Sequence, residues 1–220
     1  MTNQAQIFLI APPIADVAQA LETLDAACSS GDVAAIVLSF ATTDEREQIK
    51  QLKAIAPALQ KCGTAVLVAA SAAVAARGGA DGVHVAAPGE AVDDAIDALK
   101  PERIVGVGGL RSRHDAMTLG ELDIDYLLFG EPYPDGVLPD FDVVLERLAW
   151  WAEIFAVPCV GVAPDLERVA AIAATGAEFV GLGDAVWSHV DGPAAAIAQA
   201  RAAIEAATAA LESEREADGR

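Results

Sequence analysis

Apolar residues follow two alternating patterns along the chain. Short continuous apolar runs are typical of parallel strands covered on both faces, and they predict strands at 7–11, 34–40, 65–69, 82–86, 104–107, 124–129, 158–162 and 179–182. Between these runs, apolar residues recur every three or four positions. That spacing predicts helices, most clearly at 16–29, 88–99, 140–155, 165–175 and 194–211.

The stretch 104–130 contains one complete strand–helix–strand unit, ending in a glycine after each apolar run. A similar unit recurs at 160–184, where Glu178 before the strand corresponds to Asp125. This echo predicts a repeated βα module. The alternative is that parallel strands resemble one another without any repeat.

Eight strands and eight helices in strict alternation predict a single closed (β/α)8 TIM barrel, at the compact end of the size range of that fold. We expect the barrel domain to span residues 1–211 and residues 212–220 to form a charged, solvated tail. An open doubly wound sheet is the alternative. It is less favoured because no feature of the pattern marks a point where the strand order reverses.

The chain has 220 residues with 33 acidic and 14 basic side chains, a formal net charge of -19. Such a field repels phosphate backbones and anionic lipids, so neither nucleic acid nor a membrane is an expected partner. The first residues show no basic segment followed by a long apolar run, and we expect a soluble, cytoplasmic protein. The three cysteines are widely spaced, which favours buried thiols in a reducing compartment.

In a TIM barrel, ligands bind over the carboxyl ends of the strands, so the residues after each apolar run are the candidates. Glycines there allow backbone N–H groups to approach a ligand, or alternatively serve only tight turns. The predicted ligand-binding glycines are Gly106, Gly108, Gly109, Gly130, Gly181 and Gly183.

Charged side chains at the same end define further candidates. Arg111 is the predicted anion contact, and its alternative is a solvated position before a helix. His84, beside Asp81 in the sequence, is a candidate acid/base group or a structural histidine. Glu131 and Asp184 predict an acidic mouth that performs acid/base work or holds a metal, unless they are ordinary surface charges.

Five segments resemble the thiamine-phosphate synthase and thiazole tautomerase superfamily. They occur in the order and spacing of that family, and the resemblance extends over roughly residues 66–187, more than half of the chain. The segments are GADGVHV at 79–85, IVGVGG at 104–109, IDYLLFGEPYP at 124–134, VPCVGV at 157–162 and GAEFVGLGDAVW at 176–187.

The resemblance implies a barrel that joins a pyrimidine diphosphate to a thiazole phosphate with the help of Mg²⁺. Carboxylates hold that ion in the family, but residues 69–71 (Ala-Ala-Ser) and 86–89 (Ala-Ala-Pro-Gly) replace the usual acidic motifs. Glu90 follows one position late and is the remaining candidate metal ligand. Residues 37–40 carry no basic side chain for a diphosphate.

Two more departures affect the implied activity. The family's Thr-x-x-Lys turn is replaced by Pro-Asp-Gly-Val at 134–137, and the histidine of the tautomerase branch is replaced by Leu110. We therefore expect a divergent member that binds a small phosphorylated or heterocyclic ligand, with the usual synthase reaction lost or replaced. The alternatives are a non-catalytic binding barrel and a different acid/base enzyme using His84, Glu131 and Asp184.

Helix composition also predicts how the chain could associate. The helix predicted at 194–211 and the one before Gly78 are rich in alanine, which suits close helix packing or a homodimer interface. The three tryptophans are expected in helix packing or subunit contacts rather than in ligand stacking. They are Trp150, Trp151 and Trp187.

Overall fold

A computed structural model describes residues 4–30, 32–133 and 135–218, with side chains described up to residue 213. The strands are β1 (Gln6–Ile10), β2 (Val33–Leu38), β3 (Ala65–Val68), β4 (Gly82–Val85), β5 (Ile104–Val107), β6 (Tyr126–Phe129), β7 (Cys159–Ala163) and β8 (Phe179–Leu182). Each strand pairs in parallel with the next, and β8 closes onto β1. The predicted (β/α)8 TIM barrel is confirmed.

Helices follow the strands and form the outer layer. They are α1 (Val17–Cys28), α2 (Glu45–Lys61), α3 (Ala72–Gly78), α4 (Glu90–Leu99), α5 (Arg113–Gly120), α6 (Phe141–Ile154), α7 (Val169–Ala173), α8 (Asp184–Trp187) and α9 (Pro193–Asp218). A 3-10 turn, Leu166–Arg168, precedes α7. No helix within the described ranges is long and apolar enough to span a bilayer.

Most boundaries lie within a few residues of the sequence prediction, but the end of the chain and one short helix differ from it. The last helix was expected to end at residue 211, but α9 continues to Asp218. Alanine, glutamate and arginine dominate this extension, and their high helix propensity sustains a helix without an apolar face. The short helix α8 was not predicted because four residues are too few to show a helical period. Pro134, Gly219 and Arg220, about which the sequence made predictions, lie outside the described residues.

The core has two parts, separated by the sheet. Outward-facing strand residues pack against the helices in the larger part. A smaller cluster fills the barrel interior, and it consists of Phe8, Ala35, Val37, Leu67, Tyr126, Leu128 and Val160. Because side chains alternate across a strand, His84 on β4 points inward with this second set.

Helix starts place the loops at the carboxyl end of the barrel. Asp16, Asp44, Ser71, Ser112 and Asp140 each accept a hydrogen bond from a backbone N–H in the first turn of the helix that follows. These caps satisfy N–H groups that have no partner inside the helix. The loops after the strands are therefore held in defined positions above the barrel.

Candidate functional site

A hydrogen-bonded chain of three side chains lies inside the upper barrel. His84 Nε2 is 3.1 Å from Glu131 Oε2, and His84 Nδ1 is 2.9 Å from the Tyr126 hydroxyl oxygen. The side chains of His84 and Glu131 are only 4% and 11% exposed. An ionised carboxylate can only accept, so Nε2–H donates to Glu131 and, in the neutral imidazole, Nδ1 accepts from Tyr126. The arrangement thus fixes one tautomer of His84.

Tyr126 keeps its proton in this chain. Complete burial, followed by the negative charges of Glu131 and Asp125, raises the pKa of the phenol well above 10. Its ring is stacked nearly parallel to His84 and meets Phe8 edge-on, with centroids 5.3 Å apart in the second contact. Tyr126 thereby orients the imidazole while staying neutral.

Three of the predicted ligand-binding glycines are closely packed against other residues of the protein. A Cβ at Gly106 would collide with the Tyr126 ring, and one at Gly108 would collide with the Glu131 carboxylate. Gly109 has φ +67° and faces the carbonyl of Ala86. Gly106 and Gly108 therefore leave space for the hydrogen-bonded side chains of Tyr126 and Glu131, and Gly109 allows its loop to pass close to the backbone at Ala86. Their contact with a ligand stays a prediction.

A cavity of about 490 Å³ opens beside Glu131, at the carboxyl ends of β1, β6, β7 and β8. We call it the mouth cavity. It is lined by Ile10, Ala11, Pro12, Pro13, Gly130, Glu131, Pro132, Leu138, Pro139, Phe141, Val144, Val162, Ala163, Pro164, Gly183 and Asp184. Its size is in the usual range for small-molecule sites.

The structure brings four of the predicted site residues together in the mouth cavity, namely Gly130, Glu131, Gly183 and Asp184. Gly130 has φ +103°, which favours glycine, and this turn directs Glu131 back towards His84. Gly181 lies deeper, with its Cβ position 3.1 Å from side-chain atoms of Val160 and Val162. Gly181 therefore serves packing inside the barrel.

Arg111 lies on the other side of the β6–α6 loop and is already paired. Its guanidinium forms a salt bridge with Asp135 and lies 4.5 Å from the centroid of the Tyr133 ring. The hydrogen bond from Arg111 lowers the pKa of the Asp135 carboxyl. Arg147 donates to the carbonyls of Leu110 and Arg111, which joins α6 to the same loop. Arg111 thus holds two loops together, and its predicted role as an anion contact stays a prediction.

The carboxyl ends of β3 and β4 do not fit the magnesium ion that the family resemblance implies. Ser71 bonds to Glu45 Oε1 at 2.7 Å and caps α3, whereas Glu90 is exposed on α4. Gly89 has φ +137°, a conformation in which an acidic side chain would be strained. Within the described part of the chain, no group of three acidic, histidine or cysteine side chains is placed to hold a metal ion by itself.

A second cavity of about 430 Å³ occupies the space over β3 and β4. His84 lines it together with small residues, and its lining contains Ala69, Ala70, Ser71, Ala72, Val83, Val85, Ala86, Ala91, Asp94 and Ala95. His84 therefore borders this cavity, while its partner Glu131 borders the mouth cavity. Asp81, which lies near His84 in the sequence, accepts a hydrogen bond from Val66 N–H, whereas the carboxylate bonded to His84 is that of Glu131.

Tyr126 is the site residue that sequence reasoning did not select. The signal for it was the alternation of side chains along the strands: Tyr126, the first residue of β6, and His84, the third residue of β4, both point into the barrel. The sequence placed His84 and Glu131 in one candidate acid/base set, but their direct contact could not be predicted because it joins the end of one strand to the loop after another.

The closed barrel defines the class of this protein, the (β/α)8 barrels, and its mouth cavity lies at the carboxyl ends of the strands, where barrels of this class place their ligand sites. A family model described as thiamine monophosphate synthase matches residues 7–186. The chain belongs to the thiamine monophosphate synthase family, as the sequence motifs predicted.

Individual relatives agree with this assignment. The chain is 34% identical to thiamine-phosphate synthase of Rhodospirillum centenum over 198 residues, 89% of this chain and 96% of the relative. It is also 34% identical to the protein of that name from Hyphomonas neptunium, covering 93% and 99%. A solved thiamine phosphate pyrophosphorylase from Pyrococcus furiosus has the same fold, with a TM-score of 0.77 at 21% identity, covering 94% and 98%.

Proposed function

We propose that this protein is a divergent thiamine monophosphate synthase-family barrel that binds a small heterocyclic or phosphorylated ligand in the mouth cavity. It does not join a pyrimidine diphosphate to a thiazole phosphate by the magnesium-dependent route. One observation carries the proposal: the carboxyl ends of β2, β3 and β4 present apolar or small side chains, Phe40, Ala69, Ala70 and Ala86, where that reaction needs charged groups.

The physical reason is charge compensation. A diphosphate leaving group develops negative charge, which a metal ion or basic side chains must stabilise. The lining of the cavity over β3 and β4 holds one carboxylate, Asp94, and one histidine, His84, but no lysine or arginine among the described residues. With a net charge of -19, the rest of the molecule adds repulsion rather than stabilisation.

A second candidate function is proton transfer at the mouth. His84 and Glu131 are in direct contact at 3.1 Å, nearly buried, and held by Tyr126 in one tautomer. General acid–base residues need this kind of fixed geometry. This candidate expects His84→Gln to abolish turnover of a bound heterocycle while leaving its affinity within about threefold.

Calorimetric titration tests the main proposal. Thiazole phosphate, thiazole alcohol, thiamine phosphate and thiamine are each titrated with and without Mg²⁺, and pyrophosphate release is assayed with the pyrimidine diphosphate present. We expect at least one heterocycle to bind, Mg²⁺ to change its affinity less than twofold, and no pyrophosphate to appear.

The control variant is Ala70→Asp, which restores an acidic side chain where the family has one. It is expected to add Mg²⁺ dependence to ligand binding. Ala73→Asp, at an exposed position of α3 outside the lining of that cavity, is not. Magnesium-enhanced binding with pyrophosphate release by the unmodified protein would contradict the proposal. Loss of that enhancement in Glu90→Gln would then identify Glu90 as a substitute ligand. Absence of binding by all four compounds would also overturn it.

A further inference from the structure

We infer that the mouth cavity selects a small organic cation with an apolar body and no phosphate group, such as an N-alkylated azolium. This inference rests on the proposed function, because it assigns the charge class of the ligand bound at the same place. The proposed function allows either a phosphorylated or a heterocyclic ligand, and this inference restricts the ligand to a positively charged heterocycle.

The ionisable lining of the mouth cavity is entirely acidic. Glu131 and Asp184 are its charged residues, and none of the sixteen described residues around it is lysine, arginine or histidine. Glu131 is largely removed from water, so its interaction with a neighbouring charge is less screened than at the surface. A cation entering the cavity is attracted and a phosphate is repelled.

Prolines remove the other means of binding a phosphate, which is the backbone N–H group. Five of the sixteen lining residues lack that donor, namely Pro12, Pro13, Pro132, Pro139 and Pro164. Barrels often bind phosphate after β7 and β8, at the start of a short helix. Here Pro164 follows β7, and Asp184 begins the four-residue helix α8. Both positions disfavour an anion.

The arginines of the adjoining loops are engaged elsewhere. Arg111 pairs with Asp135, and Arg168 pairs with Asp165. Arg168 also lies over the ring of Phe141, 5.4 Å from its centroid. Neither is among the cavity-lining residues. Glu131 accepts a hydrogen bond from His84, so Asp184 is the lining carboxylate without an ion pair among the described residues.

The remaining walls suit the body of an organic cation. Ile10, Leu138, Val144 and Val162 provide aliphatic surface, and Phe141 provides an aromatic ring. Aromatic rings and carboxylates together are the groups that recognise weakly hydrated cations. A cavity of about 490 Å³ accommodates one or two small rings.

The test compares ligands of matched shape and different charge. Thiamine, a thiazolium cation, is titrated against thiamine phosphate, and 3-benzyl-4-methylthiazolium against its neutral analogue 2-benzyl-4-methylthiazole. We expect each unphosphorylated cation to bind at least tenfold more tightly than its partner. Raising NaCl from 20 to 300 mM should weaken cation binding and leave the neutral compound unchanged.

Asp184→Asn is the informative variant, because Asp184 is exposed at the cavity and its replacement leaves the His84–Glu131 contact intact. It should weaken binding of the cations about threefold to tenfold without changing the neutral analogue. Asp191→Asn makes the same change in net charge outside the cavity lining, and its cation affinity should equal that of the unmodified protein.

The outcomes separate this inference from the proposed function. If thiamine phosphate or the neutral thiazole binds as tightly as its cationic partner, the charge assignment is wrong while ligand binding stands. An equal loss of cation affinity in Asp184→Asn and Asp191→Asn also overturns it, since general electrostatics would explain the effect. If none of the compounds binds, the proposed function itself fails.

Discussion

Glycine at position 108 is what allows Glu131 to reach His84. A Cβ at this position, directly after β5, would overlap the Glu131 carboxylate, so any larger residue there displaces that carboxylate. Gly106, two residues earlier on the same face, makes the equivalent space for the Tyr126 ring. The glycines of the IVGVGG segment therefore have an identifiable packing role at single-atom resolution.

Gly108→Ala is predicted to displace Glu131 and break its hydrogen bond with His84. The carboxylate is the end of a flexible side chain and can move, so we expect a loss of about 1–3 kcal/mol in the free energy of unfolding. Urea denaturation measures this loss, and ¹⁵N NMR of the His84 imidazole reports the broken contact. Gly183→Ala is the control, because the nearest atom to its Cβ position is 4.0 Å away. Unchanged imidazole shifts in Gly108→Ala would contradict the prediction.

Cys28 gives a second prediction at this scale. Burial raises the pKa of its thiol from 9.0 to about 11. The unfolded thiol ionises above pH 9 while the folded one keeps its proton. The contribution of the protonated Cys28 thiol to the free energy of unfolding is therefore fully present below pH 9 and is lost as the pH rises to 11. Two pKa units correspond to about 2–3 kcal/mol.

Denaturation in urea at pH 8, 9, 10 and 11, with a reductant present, measures that dependence. Cys28→Ala should be less stable at pH 8, because a buried side chain is shortened, but should lose less stability between pH 9 and 11. A variant with the same pH dependence as the unmodified protein would assign the alkaline loss to other groups.

At the scale of the elements, acidic residues before alternate strands join neighbouring strands at the amino end of the barrel. Each carboxylate accepts a hydrogen bond from a backbone N–H of the preceding strand, at 2.7–2.9 Å. The pairs are Asp81 with Val66, Asp125 with Val105, and Glu178 with Cys159. This recurring contact explains physically why Asp125 and Glu178 occupy corresponding positions in the two similar strand–helix–strand units. It lies at the end of the barrel that serves stability.

Glu178→Ala is predicted to destabilise the protein by about 1–3 kcal/mol, because the N–H of Cys159, a fully buried residue, loses its carboxylate partner. Thermal and urea unfolding measure the change. Glu153→Ala, at an exposed position on α6, should stay within about 0.5 kcal/mol of the unmodified protein. Ligand affinity should be unaffected in both variants, since neither residue lines the mouth cavity. Equal stability of the two variants would refute the role of Glu178.

At the scale of the whole molecule, the net charge of -19 is the dominant electrostatic feature. Self-repulsion of this size disfavours the compact state, and dissolved salt screens it. Most of the salt bridges in the described residues involve at least one well-exposed side chain. Such pairs contribute little to stability, so salt that screens them removes less stability than it adds by screening the net repulsion.

We therefore predict that the melting temperature rises when NaCl is increased from about 10 mM to 500 mM. KCl at the same ionic strength should give the same rise, because screening depends on ion concentration and valence rather than on the cation. Differential scanning calorimetry measures both series. A melting temperature that falls with salt would show that attractive ion pairs outweigh the net repulsion.

Most of the fold could be predicted from local pattern alone. The eight strands appear as continuous apolar runs because both of their faces are buried, and the structure has them within a few residues of the predicted positions. Helix α8 and the final turns of α9 could not be predicted, because four residues carry no periodicity and a charged helix needs no apolar face. The acidic residues of the mouth were identified, but their neighbours were not.

The alternation of strands and helices, the closed barrel and the family could all be predicted from the sequence alone. These follow from local periodicity and from contiguous motifs. The tertiary structure was needed to show that Glu131 contacts His84 directly and that Arg111 pairs with Asp135, whereas the shared position of Glu131 and Asp184 at the mouth had been predicted. The reason is that these contacts depend on strand register and loop path, which join residues far apart in the chain.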